Sequence, residues 1–195
     1  MRTWTFILIA YLCLSLQIGL GPLWMLPWMG GVKPSLLLTL AMFIALWAPP
    51  MRVIWSCLVL GLLTDIAYPL PVQGSVQDAV VLGPYALAYM LAGWLGLKAR
   101  ALVFRDSYIS MAAMVFLLGL VVHLLAVALF NLRGLSVSVI PWLANSPIPG
   151  WRTTDQLMVR FLEVVYSAII ALPVGALLMR SLKWWNFENQ RGPMG

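Results

Sequence analysis

The sequence predicts an all-α membrane protein with six transmembrane helices and both termini in the cytoplasm. Of its 195 residues, 63% are hydrophobic and only 9% are charged, whereas a soluble domain keeps roughly 25% charged residues. The mean hydropathy is +0.95. The apolar residues fall into six runs, which predict spans at about residues 4–21, 35–48, 53–70, 79–97, 107–130 and 157–179. We expect a single six-helix domain over residues 1–183 and a cytoplasmic tail over residues 184–195.

The third and fourth runs form the centre of this prediction. Each is long enough to cross a bilayer, and Asp65 lies inside the first of the two. The loop between them contains no basic residue, whereas Lys98, Arg100 and Arg105 follow the second. This pattern predicts a helical hairpin whose connecting loop faces outward and whose other end faces the cytoplasm.

The first two runs each allow two interpretations. Residues 4–16 follow Arg2 without an interruption, as in a cleaved signal peptide, but no convincing small-x-small cleavage site precedes Pro22. A retained first helix is therefore favoured. The second run has 14 residues, which reach only ~21 Å against a bilayer core of ~30 Å. It either spans the membrane with Lys33 and Arg52 reaching toward the headgroups, or it is re-entrant.

The distribution of basic residues predicts the orientation. With six spans, three basic residues lie on one side (Lys33, Arg133 and Arg152) and eight lie on the other (Arg2, Arg52, Lys98, Arg100, Arg105, Arg180, Lys183 and Arg191). Because cytoplasmic loops carry the excess of Lys and Arg, the larger group is assigned to the cytoplasm. We therefore expect a multi-pass membrane protein with both termini in the cytoplasm.

Three charged residues are expected at membrane depth, in the outer half of the bundle. They are Asp65 in the third span, with Arg160 and Glu163 three residues apart in the sixth. Opposite charge and similar depth suggest an ion pair between Asp65 and Arg160, with Glu163 sharing the site. A structural role for this intramembrane cluster is favoured over a proton or substrate relay, because transporters usually carry such groups nearer the midplane.

The rest of the sequence favours no reaction and no cofactor. The net charge is +6, but the basic residues are scattered over loop ends and form no stripe, which argues against a nucleic-acid surface. Cys13 and Cys57 lie inside apolar runs and suggest neither a disulfide nor a metal site. A packed histidine is a better interpretation of His123 than a metal ligand, since no second ligand lies near it in sequence. The chain has no phosphate loop, zinc-type histidine pair or Gly-x-Ser-x-Gly element, so no catalytic residue is assigned and an enzyme is disfavoured.

The central third of the chain carries an ordered series of short elements. Lys33-Pro34-Ser35 leads into the leucine-rich second run, a turn follows with Pro49, Pro50 and Arg52, and the third run contains Gly61-Leu62-Leu63-Thr64-Asp65-Ile66. Gly74 lies in the outer loop, and Ala86-Leu87-Ala88-Tyr89 lies in the fourth run. From about Lys33 to Lys98 the chain resembles the rod shape-determining protein MreD family. It departs from that family at Pro69 and Pro71, where glycine is usual.

This resemblance implies a non-enzymatic integral membrane scaffold of the bacterial cell-shape (elongation) machinery, or elongasome, located in the bacterial cytoplasmic (inner) membrane. Such a scaffold would bind an MreC-like bitopic protein, with a RodA-like peptidoglycan polymerase and its transpeptidase alongside, and would be linked indirectly to actin-like MreB. Asp65 would then be a structural residue of the bundle. The implied fold is similar to the six-helix bundle of the substrate-binding subunits of energy-coupling-factor transporters.

The alternative is such a substrate-binding subunit of a vitamin transporter. These subunits usually carry an Ala-x-x-x-Ala pattern in the first helix for docking to the coupling subunit. In this chain Ala10 is followed at that spacing by Leu14. Asp65, Arg160 and Glu163 would supply the polar pocket that a transporter subunit needs. The scaffold is favoured on the resemblance alone.

Overall fold

The computed structural model describes residues 2–26, 31–67, 82–103, 107–139, 153–185 and 187, and the side chains of residues 133–139, 153 and 155 lie outside that description. The described residues form eight helices and contain no β-strand. The helices are α1 (Thr3–Gly19), α2 (Gly21–Trp24), α3 (Leu36–Trp47), α4 (Pro50–Ala67), α5 (Pro84–Ala99), α6 (Tyr108–Val139), α7 (Thr153–Arg180) and α8 (Leu182–Trp185).

The structure is all-helical, as the sequence predicts, and a helix lies within or across each of the six apolar runs. In α4, α6 and α7 the apolar stretch is long enough to cross a membrane, as expected for a membrane protein. The number of spans and the orientation of the termini remain predictions. Helix α6 ends at Val139 rather than near residue 130, and α7 continues through Pro173. The predicted span ends at 68–70 and 79–81, and the outer-loop Gly74, lie outside the described residues.

Helix α3 is the centre of the bundle. It has 12 residues and is therefore only ~18 Å long. Its residues Leu36–Leu46 are all buried, because α1, α4, α5, α6 and α7 pack around it. A helix that is apolar on every side belongs in an interior of this kind. The surrounding helices therefore explain how so short an apolar segment is accommodated.

The N–H groups in the first turn of α3 donate hydrogen bonds to two side chains, those of Ser35 and Gln17. Ser35 Oγ accepts from the N–H of Leu38 at 3.2 Å, as an N-cap serine does. Gln17 Oε1, on α1, accepts from the N–H groups of Leu36 and Leu37 at 3.0 and 3.2 Å. These side chains satisfy donors that have no partner within the helix and that would be expensive to leave unpaired in an apolar interior.

The last turn of α3 is held by Arg100, the residue that follows α5. Its Nε donates to the carbonyl oxygen of Ala45 at 2.5 Å, and its Nη2 donates to the carbonyl oxygen of Ala48. A cation at a helix C-terminus is also favoured by the helix dipole. Side chains from neighbouring segments thus satisfy backbone groups at both ends of α3.

Replacing Arg100 with glutamine is expected to lower the free energy of unfolding by about 2 kcal/mol, because two charge-assisted hydrogen bonds to buried carbonyls are lost. Thermal melting in detergent measures the change. The matched control is Lys98→Gln, since Lys98 is exposed and rests 5.8 Å from the exposed ring of Trp94. That substitution should change stability by less than about 0.5 kcal/mol. Equal losses in the two variants would contradict the assigned role of Arg100.

The two described ends of the chain meet at the Arg100 end of the bundle. The N–H of Arg2 donates to the carbonyl of Trp185 at 3.0 Å, and Thr5 Oγ1 donates to the carbonyl of Trp184 at 3.2 Å. The side chain of Trp185 is completely buried, 5.3 Å from the ring of Phe43 on α3 and stacked on Phe187. The packed structure thus extends past the predicted domain end at residue 183, because an aromatic cluster covers the last turns of α3.

Adjacent tryptophans in α8 provide a test of this packing. Trp185 is 0% exposed and Trp184 is 72% exposed. Trp185→Leu is expected to lower the free energy of unfolding by about 2 kcal/mol, since it removes the ring that contacts Phe43 and Phe187. Trp184→Leu should have an effect within about 0.5 kcal/mol. A thermal-melting comparison of the two variants checks the difference, and a larger loss at Trp184 would show that α8 is oriented differently.

Candidate functional site

The first part of the site is the contact between α4 and the start of α5. Gly61 on α4 lies so close to α5 that a Cβ atom added there would be 2.5 Å from Ala86 Cα and 2.6 Å from the carbonyl oxygen of Tyr85. Only glycine allows the two backbones to approach in this way. Asp65 follows Gly61 by four residues and therefore lies on the same face of α4.

The carboxylate of Asp65 caps α5. It accepts hydrogen bonds from the backbone N–H groups of Gly83 (2.9 Å), Tyr85 (3.0 Å) and Ala86 (3.2 Å). Pro84, the first residue of α5, has no N–H, so the carboxylate reaches donors on either side of it. Gly83 has a φ of +123°, which favours glycine. Asp65 therefore does from a neighbouring helix what an N-cap side chain ordinarily does within its own.

The second part of the site is a small polar cavity beside this contact, which we call the polar chamber. Its volume is about 10 Å³, room for one water molecule at most. Side chains from α4, α5, α6, α7 and the segment before α3 surround it, namely Lys33, Ser35, Thr64, Tyr85, Tyr89, His123, Arg160 and Glu163. The chamber therefore lies where most of the bundle helices converge, at the N-terminal end of α3.

An ion pair on α7 forms one wall of the chamber. Arg160 Nη1 lies 2.6 Å from Glu163 Oε2, and the two side chains are 17% and 10% exposed. The guanidinium carbon of Arg160 also lies 5.9 Å from the centre of the Tyr85 ring, close enough for a cation–π contact. Pairing within one helix keeps the Glu163 carboxylate from being buried as an isolated charge.

Hydroxyl groups join α7, the start of α3 and α5. Ser167 Oγ accepts from the N–H of Ser35 at 2.8 Å and donates to the carbonyl oxygen of Glu163 at 2.6 Å. The hydroxyls of Ser35 and Tyr89 lie 3.3 Å apart. The Ser35–Ser167 and Ser35–Tyr89 contacts join buried groups on different segments, so they fix the positions of these segments relative to one another.

His123, on α6, packs against Tyr85 with the ring centres 5.9 Å apart and the rings nearly perpendicular. Its Nδ1 is buried and has no hydrogen-bond partner among the described residues. The residue is therefore a packed histidine with one unsatisfied nitrogen. Among the residues that the structure describes, no three side chains of His, Cys, Asp or Glu are grouped closely enough to hold a metal ion.

Asp65, Arg160 and Glu163 do lie in one region, but they are arranged differently from the predicted ion pair. Asp65 binds the backbone of α5, Arg160 pairs with Glu163, and Tyr85 connects the two parts, since its N–H bonds Asp65 and its ring faces Arg160. The physical reason is that the first turn of α5 offers several unpaired donors at short range, whereas a single guanidinium offers one charged partner.

Sequence reasoning missed several residues that complete the site. Gln17, Ser35, Ser167 and Tyr89 all bind across helices, and none was singled out for that role. Each is a polar side chain within or beside an otherwise apolar run. This position is the sequence feature that could have indicated a hydrogen bond to another helix. Their partners are set by tertiary packing, which a single sequence does not reveal.

The fold and site together define a helical membrane bundle. Among the described residues, buried polar side chains form hydrogen bonds between its helices. Comparisons with protein-family models, with curated proteins and with solved structures find no match to this chain.

Proposed function

We propose that this chain is a non-enzymatic membrane scaffold of the bacterial cell-shape machinery, as its resemblance to the MreD family implies. The observation that carries the proposal is the Gly61–Asp65 element. Both residues have a structural role, because Gly61 allows the start of α5 to pack closely against α4 and the Asp65 carboxylate caps α5. A residue pair employed in this way supports a rigid bundle that presents surfaces to partners.

The size of the polar chamber also supports a scaffold. At about 10 Å³ it is far smaller than the roughly 300–1,000 Å³ of ordinary small-molecule sites. Its lining side chains already have partners within the bundle, since Arg160 pairs with Glu163 and the hydroxyls of Ser35 and Tyr89 lie 3.3 Å apart. The partners of such a scaffold would be an MreC-like bitopic protein and a RodA-like polymerase with its transpeptidase, connected indirectly to actin-like MreB at the inner membrane.

The second candidate is a substrate-binding subunit of an energy-coupling-factor transporter. The observation that favours it is the convergence of charged and aromatic side chains at one end of the bundle, beside a larger pocket of about 220 Å³ between α6 and α7. That pocket is lined mainly by leucine and phenylalanine, together with His123 and Arg160. It offers few polar groups to orient a vitamin.

Crosslinking in living cells distinguishes the two candidates. The tagged protein would be crosslinked in its native host, purified in mild detergent and analysed by mass spectrometry, with an equally abundant, unrelated multi-pass protein as the control. We expect specific recovery of a single-span protein with a periplasmic coiled coil, or of a RodA-like polymerase. Recovery of an ATPase pair with a coupling membrane subunit would overturn the scaffold proposal and favour the transporter subunit.

A further inference from the structure

A basic patch with exposed tryptophans lies where the start of α1 meets α8, the short helix that follows α7. It comprises Arg2, Trp4, Arg180, Lys183 and Trp184, and we call it the basic rim. The three cationic residues are exposed, and the two tryptophans are 83% and 72% exposed. These are the residue types that proteins place at the boundary between lipid tails and headgroups.

The basic rim is held in a fixed arrangement by the groups beneath it. The N–H of Arg2 bonds the carbonyl of Trp185, and Thr5 Oγ1 bonds the carbonyl of Trp184. The side chain of Trp185 is buried, and its Nε1 donates to Ser181 Oγ at 2.9 Å. Because Trp185 points inward and its neighbours Lys183 and Trp184 are exposed, α8 presents a cation and an indole beside the start of α1.

The position of the basic rim in the bundle indicates what it meets. Arg180 is the last residue of the apolar stretch Gln156–Arg180, which is long enough to span a membrane. The rim therefore lies at the end of that apolar stretch, which is where a spanning helix meets the lipid headgroups. The two carboxylates whose side chains the structure describes, Asp65 and Glu163, lie at the opposite end of the bundle, near the start of α3.

We propose that the basic rim binds the headgroup of one anionic phospholipid, in the leaflet on that side of the membrane. The phosphate would lie among Arg2, Arg180 and Lys183, and the indoles of Trp4 and Trp184 would flank the glycerol region. A phosphate bound there would join the first helix to the end of the seventh. Basic clusters beside the ends of membrane helices attract anionic lipids with an energy that corresponds to about a fivefold gain in affinity for each cation.

Native mass spectrometry of the delipidated full-length protein tests this site. Phosphatidylglycerol and phosphatidylcholine with the same acyl chains would be titrated separately. The expected result is one phosphatidylglycerol bound with clear preference over phosphatidylcholine. Lys183→Gln should weaken that binding about fivefold, and the triple substitution of Arg2, Arg180 and Lys183 with glutamine should weaken it about a hundredfold.

Lys98→Gln is the matched control, because Lys98 is also an exposed lysine beside an exposed tryptophan. It should change the affinity less than twofold. Melting of each variant in detergent verifies its folding, and the single Lys183→Gln substitution carries the test if the triple variant fails to fold. The proposal is overturned by equal binding of both lipids, by equal weakening in Lys98→Gln, or by unchanged binding in a folded Lys183→Gln protein.

Discussion

Replacing Asp65 with alanine is expected to destabilise the protein by about 4 kcal/mol, enough to remove most of it from the membrane in cells. Asp65 is 2% exposed, and its carboxylate accepts hydrogen bonds from three backbone N–H groups at the start of α5. Without it, buried donors at the start of a helix lose their acceptor, and each unsatisfied donor costs about 1–3 kcal/mol. The helix also loses the negative charge that its dipole favours at this end.

Thermal melting of purified protein and its accumulation in membranes measure this effect. Asp65→Asn keeps one acceptor oxygen and should lose about 2 kcal/mol. The control is Ile66→Ala, because Ile66 is the next residue of α4 and is 56% exposed; it should have an effect within about 0.5 kcal/mol. If Asp65→Ala melted like the original protein, Asp65 would not be the cap of α5.

Gly61→Ala is expected to destabilise the protein by at least about 3 kcal/mol, although it adds a single methyl group. The new Cβ would lie 2.5 Å from Ala86 Cα, 2.6 Å from the carbonyl oxygen of Tyr85 and 2.9 Å from the N atom of Ala86. These are backbone atoms, so no side chain can move aside, and the start of α5 must shift away from α4. The same shift would lengthen the hydrogen bonds to Asp65.

Gly19→Ala is the matched control for this substitution. A Cβ at Gly19 would meet nothing within 4 Å, and alanine is the better helix former, so the melting temperature should stay the same or rise slightly. The double variant Gly61→Ala, Asp65→Ala should lose clearly less than the sum of the single losses, because both changes disrupt one contact. Additive losses would mean that the two residues act independently.

The helical runs could be predicted from the sequence because each is a long apolar segment bounded by glycine, proline or charge. The positions of α1, α3 and α4 follow from that pattern to within a few residues. Helix ends were harder, since α6 continues to Val139 through residues that include Asn131 and Arg133. The Asn, Arg, Gly and Ser residues of this segment suggest a connector, but the helix continues through them.

The placement of α3 at the centre could not be predicted, because an apolar segment of this length fits several arrangements. Its ends are satisfied by Gln17 from α1 and by Arg100, which follows α5, and both partners are distant in sequence. The same limit explains the Asp65 result. Opposite charge and similar depth suggest Arg160 as the partner of Asp65. In the structure the Asp65 carboxylate instead accepts hydrogen bonds from N–H groups at the start of α5. Every residue except proline has such an N–H group, so the sequence does not mark these donors.

Amide hydrogen exchange at the start of α5 tests whether Asp65 holds this turn in place. The full-length protein and the Asp65→Asn variant would be compared in the same detergent, with peptides that cover residues 82–90 and, as an internal reference, the middle of α4. We expect these amides to be protected in the original protein and to exchange much faster in the variant, with α4 little changed. Equal protection of this turn in both proteins would contradict the role of Asp65 as the group that holds α5 in the bundle.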